Sequence, residues 1–230
     1  IVPVPMDLSV VFEDEHVLVI DKPAGMPVHP SQGHYENTLA NGIAWYYRNE
    51  ATPFVFRAVN RLDRDTSGLV LLAKNPYSSC VLSDAVKDHT IHREYAAIVS
   101  GKTDASGTID LPIARKDGST IERVCDPERG ETAVTHYRTF SYNKDADISF
   151  IRLLLETGRT HQIRVHMKAI GHPLPGDFLY CPDYRFIDRQ PLHSTYLRFS
   201  HPVTGEKLEF SASLPEDMRN LFPDIKNPSG

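Results

Sequence analysis

The feature that most constrains how this chain folds is an uninterrupted apolar run at residues 69–73, bounded by Gly68 and Lys74. The run is too short for a typical helix, and it lacks the alternation of apolar and polar residues found in half-exposed strands. We therefore predict a short strand that is covered on both faces, as in the interior of a sheet.

A polar segment lies immediately before this strand. Asp63 stands between Arg61 and Arg64, and residues 66–68, Thr-Ser-Gly, provide hydroxyl groups and a permissive backbone for a tight turn. An aspartate at the mouth of a buried strand would be partly desolvated and would need a nearby cation to remain charged. The local sequence leaves two interpretations open, an ordinary turn and a functional carboxylate.

The charge of the chain limits how it could bind nucleic acid. A net charge of -5 argues against a protein that binds nucleic acid nonspecifically over its whole surface. Basic residues nevertheless gather at residues 57–64, 92–93 and 159–168. If folding brings these segments together, one face would attract phosphate groups while the rest of the surface stays acidic.

Length and composition indicate one ordinary globular domain over residues 1–230, and we expect a monomer. No apolar run approaches the length needed to cross a bilayer, so we expect no membrane partner. Cys80, Cys125 and Cys181 are far apart and form no paired motif. This spacing argues against a disulfide scaffold and favours a reducing, cytoplasmic setting.

Periodicity and capping signals predict a mixture of strands and helices in the first part of the chain. Two short strands at residues 10–12 and 17–20 are separated by an acidic turn, which predicts a hairpin. Two helices are predicted, one capped by Asn37 or Thr38 and one at residues 77–88.

A loop stiffened by prolines follows the hairpin at residues 22–30. Ligand-contacting residues often lie in loops of this kind, at the end of a strand. Lys22 therefore either contacts a ligand or braces the site, and a solvated loop charge is the alternative.

The middle of the chain is predicted to be rich in strands, at residues 93–101, 132–140 and 150–155. Tyr95 lies in the first of these strands. On the local sequence alone it is interpreted as a core aromatic residue, and a role in a functional site is the alternative. Residues 102–131, rich in Gly, Asp, Thr and Arg, are predicted to form a mobile β-insert that either contacts nucleic acid or is simply solvated.

A helix is predicted between Thr160, a good cap, and Gly171, a good stop. Its apolar residues fall on one face and its basic residues on another, so one side can dock on the sheet while the other faces a cleft. The apolar face comprises Ile163, Met167 and Ile170, and the basic face comprises His161, Arg164 and Lys168. His161 and His166 do not share a face, so we expect no metal site.

Four segments together resemble the motifs of the RluA-like family of pseudouridine synthases. Residues 60–69 match the signature His-Arg-Leu-Asp, two variable residues, Thr, Ser or Thr, Gly and Leu, with Asn60 in place of the histidine. Residues 22–25 match Lys-Pro-x-Gly, and residues 93–101 match Arg-x-Tyr followed by small and apolar residues and a glycine. Residues 158–164 match Gly-Arg-Thr-His-Gln-Ile-Arg, and the resemblance extends over nearly the whole chain.

The resemblance implies an α+β protein with the pseudouridine-synthase fold, a mixed and largely antiparallel sheet flanked by helices around a central catalytic cleft. It implies an isomerase that converts specific uridines of structured RNA, in large-subunit ribosomal RNA or transfer RNA, into pseudouridine without a cofactor or a metal. Asp63 would be the catalytic residue, Arg164 would form an ion pair with it, and Tyr95 would stack on the target base and take part in proton transfer. The candidate RNA contacts are Arg61, Arg64, Thr66, Lys22, Arg159 and His161.

Two other functions remain open at this point. One is an RNA-binding protein that keeps the fold without catalysis, such as a ribosome-assembly factor, although the presence of Asp63, Tyr95 and Arg164 argues against it. The other is a different enzyme centred on an aspartate, such as a glycoside hydrolase, which would need a second carboxylate. Asp65 is the nearest candidate, but it falls at a variable position of the family motif. Many relatives also carry an S4-like RNA-binding domain, which residues 1–230 lack, and the start at Ile1 leaves open whether one was removed.

Overall fold

The computed structural model describes residues 1–49 and 54–225. The helices in these ranges are α1 (Leu39–Tyr46), α2 (Pro76–Lys87), α3 (Gln162–Ala169) and α4 (Glu216–Leu221). The strands are β1 (Ser9–Glu13), β2 (Val17–Lys22), β3 (Ser67–Ala73), β4 (His92–Ser100), β5 (Ser106–Asp110), β6 (Ile113–Arg115), β7 (Arg123–Cys125), β8 (Val134–Asn143), β9 (Ile148–Leu155), β10 (Leu192–Ser200) and β11 (Lys207–Ser211). No helix in the described part of the chain is long and apolar enough to cross a membrane.

The chain divides into two compact units. The first comprises Ile1–His92 together with Tyr196–Ala212, and the second comprises Arg93–Thr195 together with the segment from Ser213 onward. Strand β10 therefore contributes its last residues to the first unit and its first residues to the second. The prediction of one domain over the whole chain stays a prediction.

The first unit is built on antiparallel pairs of strands. Strand β2 pairs with β1 on one side and with β3 on the other, and β11 pairs with β10. All seven residues of β3 are buried, so the predicted strand covered on both faces is confirmed. The predicted hairpin of the first two strands is confirmed as well.

One apolar core holds the first unit together. Val19 of β2, Leu71 of β3 and Leu82 of α2 are fully buried in it, together with Leu197 and Phe199 of β10. Burying side chains of this size contributes about 1.5–3 kcal/mol each relative to leaving them exposed. The core therefore fixes β3, and with it the polar segment that precedes this strand.

The second unit contains an antiparallel sheet in the order β4-β9-β8-β5. Strands β6 and β7 form a separate two-stranded ladder, so the predicted β-insert at residues 102–131 is confirmed as β structure. One core of this unit lies under α4, where Ile98, Phe150, Leu214, Met218 and Phe222 pack together.

Helix α3 begins at a different place from the one predicted. Thr160 is not its cap, because His161 occupies the cap position with a left-handed backbone (φ 58°) and no side-chain hydrogen bond to the helix. The predicted stop at Gly171 is confirmed, with φ 85°. The amide of Gly171 donates to Lys168 and that of His172 to Met167, at 3.0 and 2.9 Å, which closes the last turn.

The predicted arrangement of strands and helices is largely confirmed, and the described strand pairings within the units are antiparallel. At α1 the cap is Thr38 rather than Asn37. Strands β10 and β11 and helix α4 were not predicted. The central cleft stays a prediction.

Candidate active site

Asp63 lies at the tip of a hairpin whose second arm is β3. The segment before it runs antiparallel to β3, with the amide of Val59 donating to the carbonyl of Leu71 at 2.8 Å. A turn then reverses the chain, closed by a 3.1 Å hydrogen bond from the amide of Thr66 to the carbonyl of Asp63. The side chain of Asp63 is half-buried there. The functional residue predicted from the sequence therefore stands on a short loop with a defined shape.

Asn60 fixes the first side of this loop. Its side-chain amide donates to the carbonyl of Leu69 at 3.1 Å, and its carbonyl oxygen accepts from the amide of Leu71 at 2.7 Å. The side chain therefore replaces a backbone partner for β3 and is itself buried. This position therefore supports the loop, although the residue differs from the histidine of the motif.

Lys22 fixes the second side of the loop. Its ammonium group is fully buried and donates to the carbonyls of Pro23 and Met26, each at 2.8 Å, and of Arg64 at 3.0 Å. A buried charge needs such partners. The solvated loop charge is thereby excluded, and of the two roles predicted for Lys22 the burial favours the brace over a direct RNA contact.

Gly68 allows the backbone to pass directly from the loop of Asp63 into β3. It stands opposite Lys22 in the strand pairing and has φ 107°, a backbone conformation that side chains with a Cβ atom rarely adopt. The tight turn predicted at residues 66–68 depends on this residue.

Thr66 is buried beside Asp63 with an unused polar group. Its side chain is 2% exposed, and its hydroxyl has no hydrogen-bond partner within the described residues. Buried hydroxyl groups nearly always have partners, so an isolated one calls for an explanation. A substrate group that reaches this loop would provide the missing partner.

The two arginines next to Asp63 in sequence differ in whether a carboxylate binds them. Arg64 is bound by its neighbour Asp65 through two hydrogen bonds of 2.9 and 2.8 Å. Asp65 is therefore occupied by a guanidinium group, which argues against its use as a second catalytic carboxylate. Arg61 is exposed and has no carboxylate partner in the described parts of the chain. Of the two, Arg61 offers the more accessible positive charge.

His29 lies close to this charge, in the proline-stiffened loop. Burial lowers its pKa, and the positive charge of Arg61 lowers it further. Its ring packs edge-on against Phe56, with ring centres 4.8 Å apart. The loop at residues 22–30 thus brings a neutral aromatic ring near the predicted RNA contacts.

Arg164 occupies a buried position on α3. Its guanidinium group donates two hydrogen bonds to Asp177, from Nε to Oδ2 at 2.6 Å and from the second amino group to Oδ1 at 2.7 Å. The side chains of the two residues are 2% and 0% exposed. Asp177 also accepts from the amides of Leu179 and Tyr180, at 3.0 and 3.2 Å. Asp177 was not among the predicted site residues, and the local signal for it is the turn-forming pair Gly176-Asp177.

The basic face predicted for α3 converges on one aromatic ring, that of Tyr180. Arg164 and Lys168 lie 5.0 and 5.5 Å from its centre, and His161 packs edge-on against it at 5.7 Å. The hydroxyl of Tyr180 is 2.9 Å from Nδ1 of His161 and accepts the amide of Arg123 at 2.9 Å. Arg164 is thus held between its carboxylate partner and an aromatic ring, a rigid environment for a charged group.

The remaining predicted site residues are found on the sheet and at its edge. Tyr95 is 5% exposed on β4, opposite Leu153 of β9. Arg159 is exposed, forms an ion pair with Glu131 at 2.6 Å, and donates to the carbonyl of Thr132. The predicted pair of Arg164 with Asp63 and the predicted stacking role of Tyr95 stay predictions. No group of three acidic, histidine or cysteine side chains in the described residues is arranged to hold a metal ion.

Comparison with known proteins identifies close relatives. Residues 16–169 match the family model described as RNA pseudouridylate synthase. The chain is 46% identical over 221 residues to the uncharacterized RNA pseudouridine synthase YjbO of Bacillus subtilis (strain 168). The aligned segment covers 96% of this chain and 76% of that protein. It is 42% identical over 240 residues to ribosomal large subunit pseudouridine synthase D of Zymomonas mobilis, covering 96% of this chain and 73% of that protein.

A solved structure is similar as well. Human RNA Pseudouridylate Synthase Domain Containing 1 superposes with a TM-score of 0.73 at 26% sequence identity, covering 90% of this chain and 83% of that one. The predicted fold class, an α+β protein with a largely antiparallel sheet and few helices, is confirmed by this similarity.

Proposed function

The chain belongs to the RNA pseudouridylate synthase family, whose members are isomerases acting on RNA, and on this premise we propose that it converts specific uridines of large-subunit ribosomal RNA into pseudouridine with Asp63 as its catalytic residue. The name of the Zymomonas mobilis relative supports this RNA as the substrate. Transfer RNA is the alternative substrate to be tested beside it.

The observation that carries the proposal is the way in which the loop of Asp63 is held. Asn60 binds it to β3 from one side and the buried ammonium of Lys22 binds it from the other. A catalytic group must be held close to its productive geometry, and such bracing supplies that rigidity. An ordinary surface turn would not need a fully buried lysine beneath it.

The reaction itself is an isomerisation, so no atom is added to the product or lost from it. The bond between the ribose and the uracil nitrogen breaks, the base turns, and the ribose is joined to a ring carbon. That carbon gives up its proton and the freed ring nitrogen takes one up, so the atoms balance. Asp63 acts as nucleophile or base in this sequence. The uridine must first leave its stack, which costs a few kcal/mol that contacts to phosphates and stacking on Tyr95 offset.

Arg164 is proposed to keep Asp63 ionised, because a carboxylate in a closed pocket without a cation tends to protonate. Tyr95 combines a ring face for stacking with a phenol that can transfer a proton, which suits the last step. Arg61, Arg64, Thr66, Arg159 and His161 are proposed to contact the RNA, and Lys22 to hold the loop that does so. The free hydroxyl of Thr66 and the exposed charge of Arg61 support this assignment.

Further parts of the proposal concern the whole protein. We propose that residues 1–230 form one catalytic domain, that the enzyme acts as a monomer without a cofactor, and that it works in the cytoplasm. The three cysteines, all of which are free thiols, support a reducing compartment.

The proposal is tested by tritium release. Unmodified large-subunit ribosomal RNA and bulk transfer RNA, each labelled with tritium at C5 of uracil, are incubated with the wild-type protein and with D63N and D65N. We expect release from the ribosomal RNA, a decrease of roughly 100- to 10,000-fold in D63N, and retention of most of the release in D65N. Undiminished tritium release by D63N would contradict the assignment of Asp63 as the catalytic residue. Release from transfer RNA alone would contradict ribosomal RNA as the substrate.

A further inference from the structure

Two arginines face each other on the exposed side of the second unit's sheet. Arg138 of β8 stands directly opposite Arg152 of β9 in the strand register. Phe140 lies beside them, with their guanidinium carbons 5.6 and 4.8 Å from the centre of its ring. These three residues, Arg138, Phe140 and Arg152, are called the arginine patch.

A β-bulge places the aromatic ring in this patch. The register between β8 and β9 shifts between Thr139 and Ser141, so Phe140 is the extra residue of the bulge. Bulges redirect side chains and recur near functional sites. Phe140 remains 47% exposed. The bulge therefore presents a flat apolar surface beside two positive charges.

The charges of the patch are not neutralised by the protein. Like charges directly opposite each other in a sheet are destabilising. Neither Arg138 nor Arg152 forms an ion pair with a carboxylate in the described residues. Glu156, on the same face, is engaged by His136 at 2.6 Å, and Glu94, opposite Leu154, makes no ion pair with the patch. An anionic ligand would relieve the repulsion that the fold leaves in place.

The patch lies on the other face of the sheet from Tyr95. Arg152 pairs with Ala96, whereas the adjacent Leu153 pairs with Tyr95. Neighbouring residues of a strand point to opposite faces, so the arginine side chains point away from the Tyr95 face. The arginine patch is thus separate from the predicted base-stacking residue.

We propose that the arginine patch binds single-stranded RNA outside the target uridine, with a base stacked on Phe140 and the neighbouring phosphates on Arg138 and Arg152. An exposed aromatic ring beside two arginines has the chemistry of single-strand binding, in which stacking and phosphate contacts act together. The inference deepens the proposed function and rests on it, because RNA is the ligand that the enzyme already meets.

The experiment measures RNA binding by the full chain as a function of salt. A fluorescein-labelled oligouridylate and a duplex RNA of equal length are titrated with the wild type, R138Q/R152Q and F140L. The matched control is R185Q, because Arg185 is also exposed and also lies over a phenylalanine, Phe186, at 5.1 Å, but has Asp183 as a carboxylate partner. Thermal melting of each variant shows that it is folded.

If the patch binds RNA, R138Q/R152Q lowers the slope of log K against log salt by about 1.4, since each lost phosphate contact of a single strand removes about 0.7. F140L weakens oligouridylate binding roughly fivefold or more, and it weakens duplex binding less, because a duplex offers no free base to stack. R185Q changes neither quantity. A slope and an affinity of R138Q/R152Q that match those of R185Q would overturn the proposal.

The outcome is separable from that of the proposed function. Tritium release by the wild type tests the isomerase activity, whereas the binding titration requires no turnover. If the wild type releases tritium but the patch variants bind RNA normally, the RNA-binding role of the arginine patch is contradicted and the proposed reaction stands. If the patch variants bind RNA less tightly but the wild type releases no tritium, the RNA-binding role of the patch stands and the proposed reaction is contradicted.

Discussion

Arg164 and Asp177 carry opposite charges in a part of the molecule that water does not reach. Both side chains are at most 2% exposed, and the carboxylate also receives two backbone amides. A buried pair of this kind is costly to form and still more costly to break, because removing one partner leaves the other charge uncompensated. Asp177 is therefore the residue on which the position of Arg164 depends.

We predict that D177N lowers the free energy of unfolding by about 3–5 kcal/mol, because it removes the charged partner of a buried ion pair with Arg164. Urea denaturation followed by circular dichroism measures the change. D183N, which removes the carboxylate of an exposed ion pair with Arg185, is the matched control and is expected to change stability far less.

The same substitution separates stability from activity. At a temperature where D177N is still folded, a misplaced Arg164 should reduce tritium release, whereas D183N should not. If D177N unfolds at the same urea concentration as D183N, the buried pair does not hold this region together.

At the scale of elements, helix α3 is attached to strand β8 through polar groups rather than through apolar contacts alone. Gln162 donates to the carbonyl of Val134 and to the hydroxyl of Thr135, each at 3.0 Å. His166 lies 2.9 Å from the same hydroxyl through Nδ1 and 2.9 Å from the carbonyl of Leu111 through Nε2. A carbonyl only accepts, so Nε2 carries the proton, and the ring is neutral with Nδ1 as an acceptor.

This arrangement makes the attachment of α3 sensitive to pH. Burial lowers the pKa of His166 below its ordinary value of 6.5, although the hydrogen bond to Leu111 and the charge of Asp110 oppose the shift. His166 therefore binds a proton more readily in the unfolded chain than in the folded chain. The stability that His166 contributes is complete above pH 6.5 and is lost as the pH falls from there through the lowered pKa.

We predict that H166Q is less stable than the wild type at neutral pH but loses less stability on acidification, because glutamine does not titrate. Urea denaturation at several values between about pH 5 and 8 measures the two slopes. Parallel curves for the wild type and H166Q would show that His166 does not account for the acid sensitivity.

The elements that sequence analysis missed or misplaced share a physical cause. Strand β10 contains His193, Ser194 and Thr195, all 1% exposed, so its buried residues lack the apolar pattern that identifies a strand. At the start of α3, Gln162 accepts the amide of Arg159 at 2.9 Å, and the predicted cap Thr160 is not used. Tertiary contacts determine both features, and local patterns do not contain them.

At the scale of the whole molecule, a chain with a net charge of -5 must bind a polyanion through local positive charges. Many of its basic residues are occupied by carboxylates, as Arg64, Arg129, Arg159 and Arg185 are. Arg61 is exposed and has no such partner in the described residues. The salt dependence of RNA binding should therefore come mainly from the unpaired cations rather than from the overall charge.

We predict that R61Q lowers the slope of log K against log salt for single-stranded RNA by about 0.7, the value of one phosphate contact. R129Q is the control, since Arg129 is exposed but bound by Asp117 and Asp126. The measurement is a filter-binding titration at several salt concentrations. Equal slopes for R61Q and R129Q would contradict a phosphate contact at Arg61.

The sequence by itself determined the buried strand β3, the turn that carries Asp63, the hairpin before it and the family to which the chain belongs. These features depend on residues that are neighbours in the chain, so hydrophobic periodicity, turn chemistry and motif spacing express them directly. Only the tertiary structure decided that Lys22 is a buried brace, that Asp177 forms a buried ion pair with Arg164, and that a bulge brings Phe140 beside two arginines. Each of these depends on burial and on contacts between segments distant in sequence, whose energies appear only when the chain has folded.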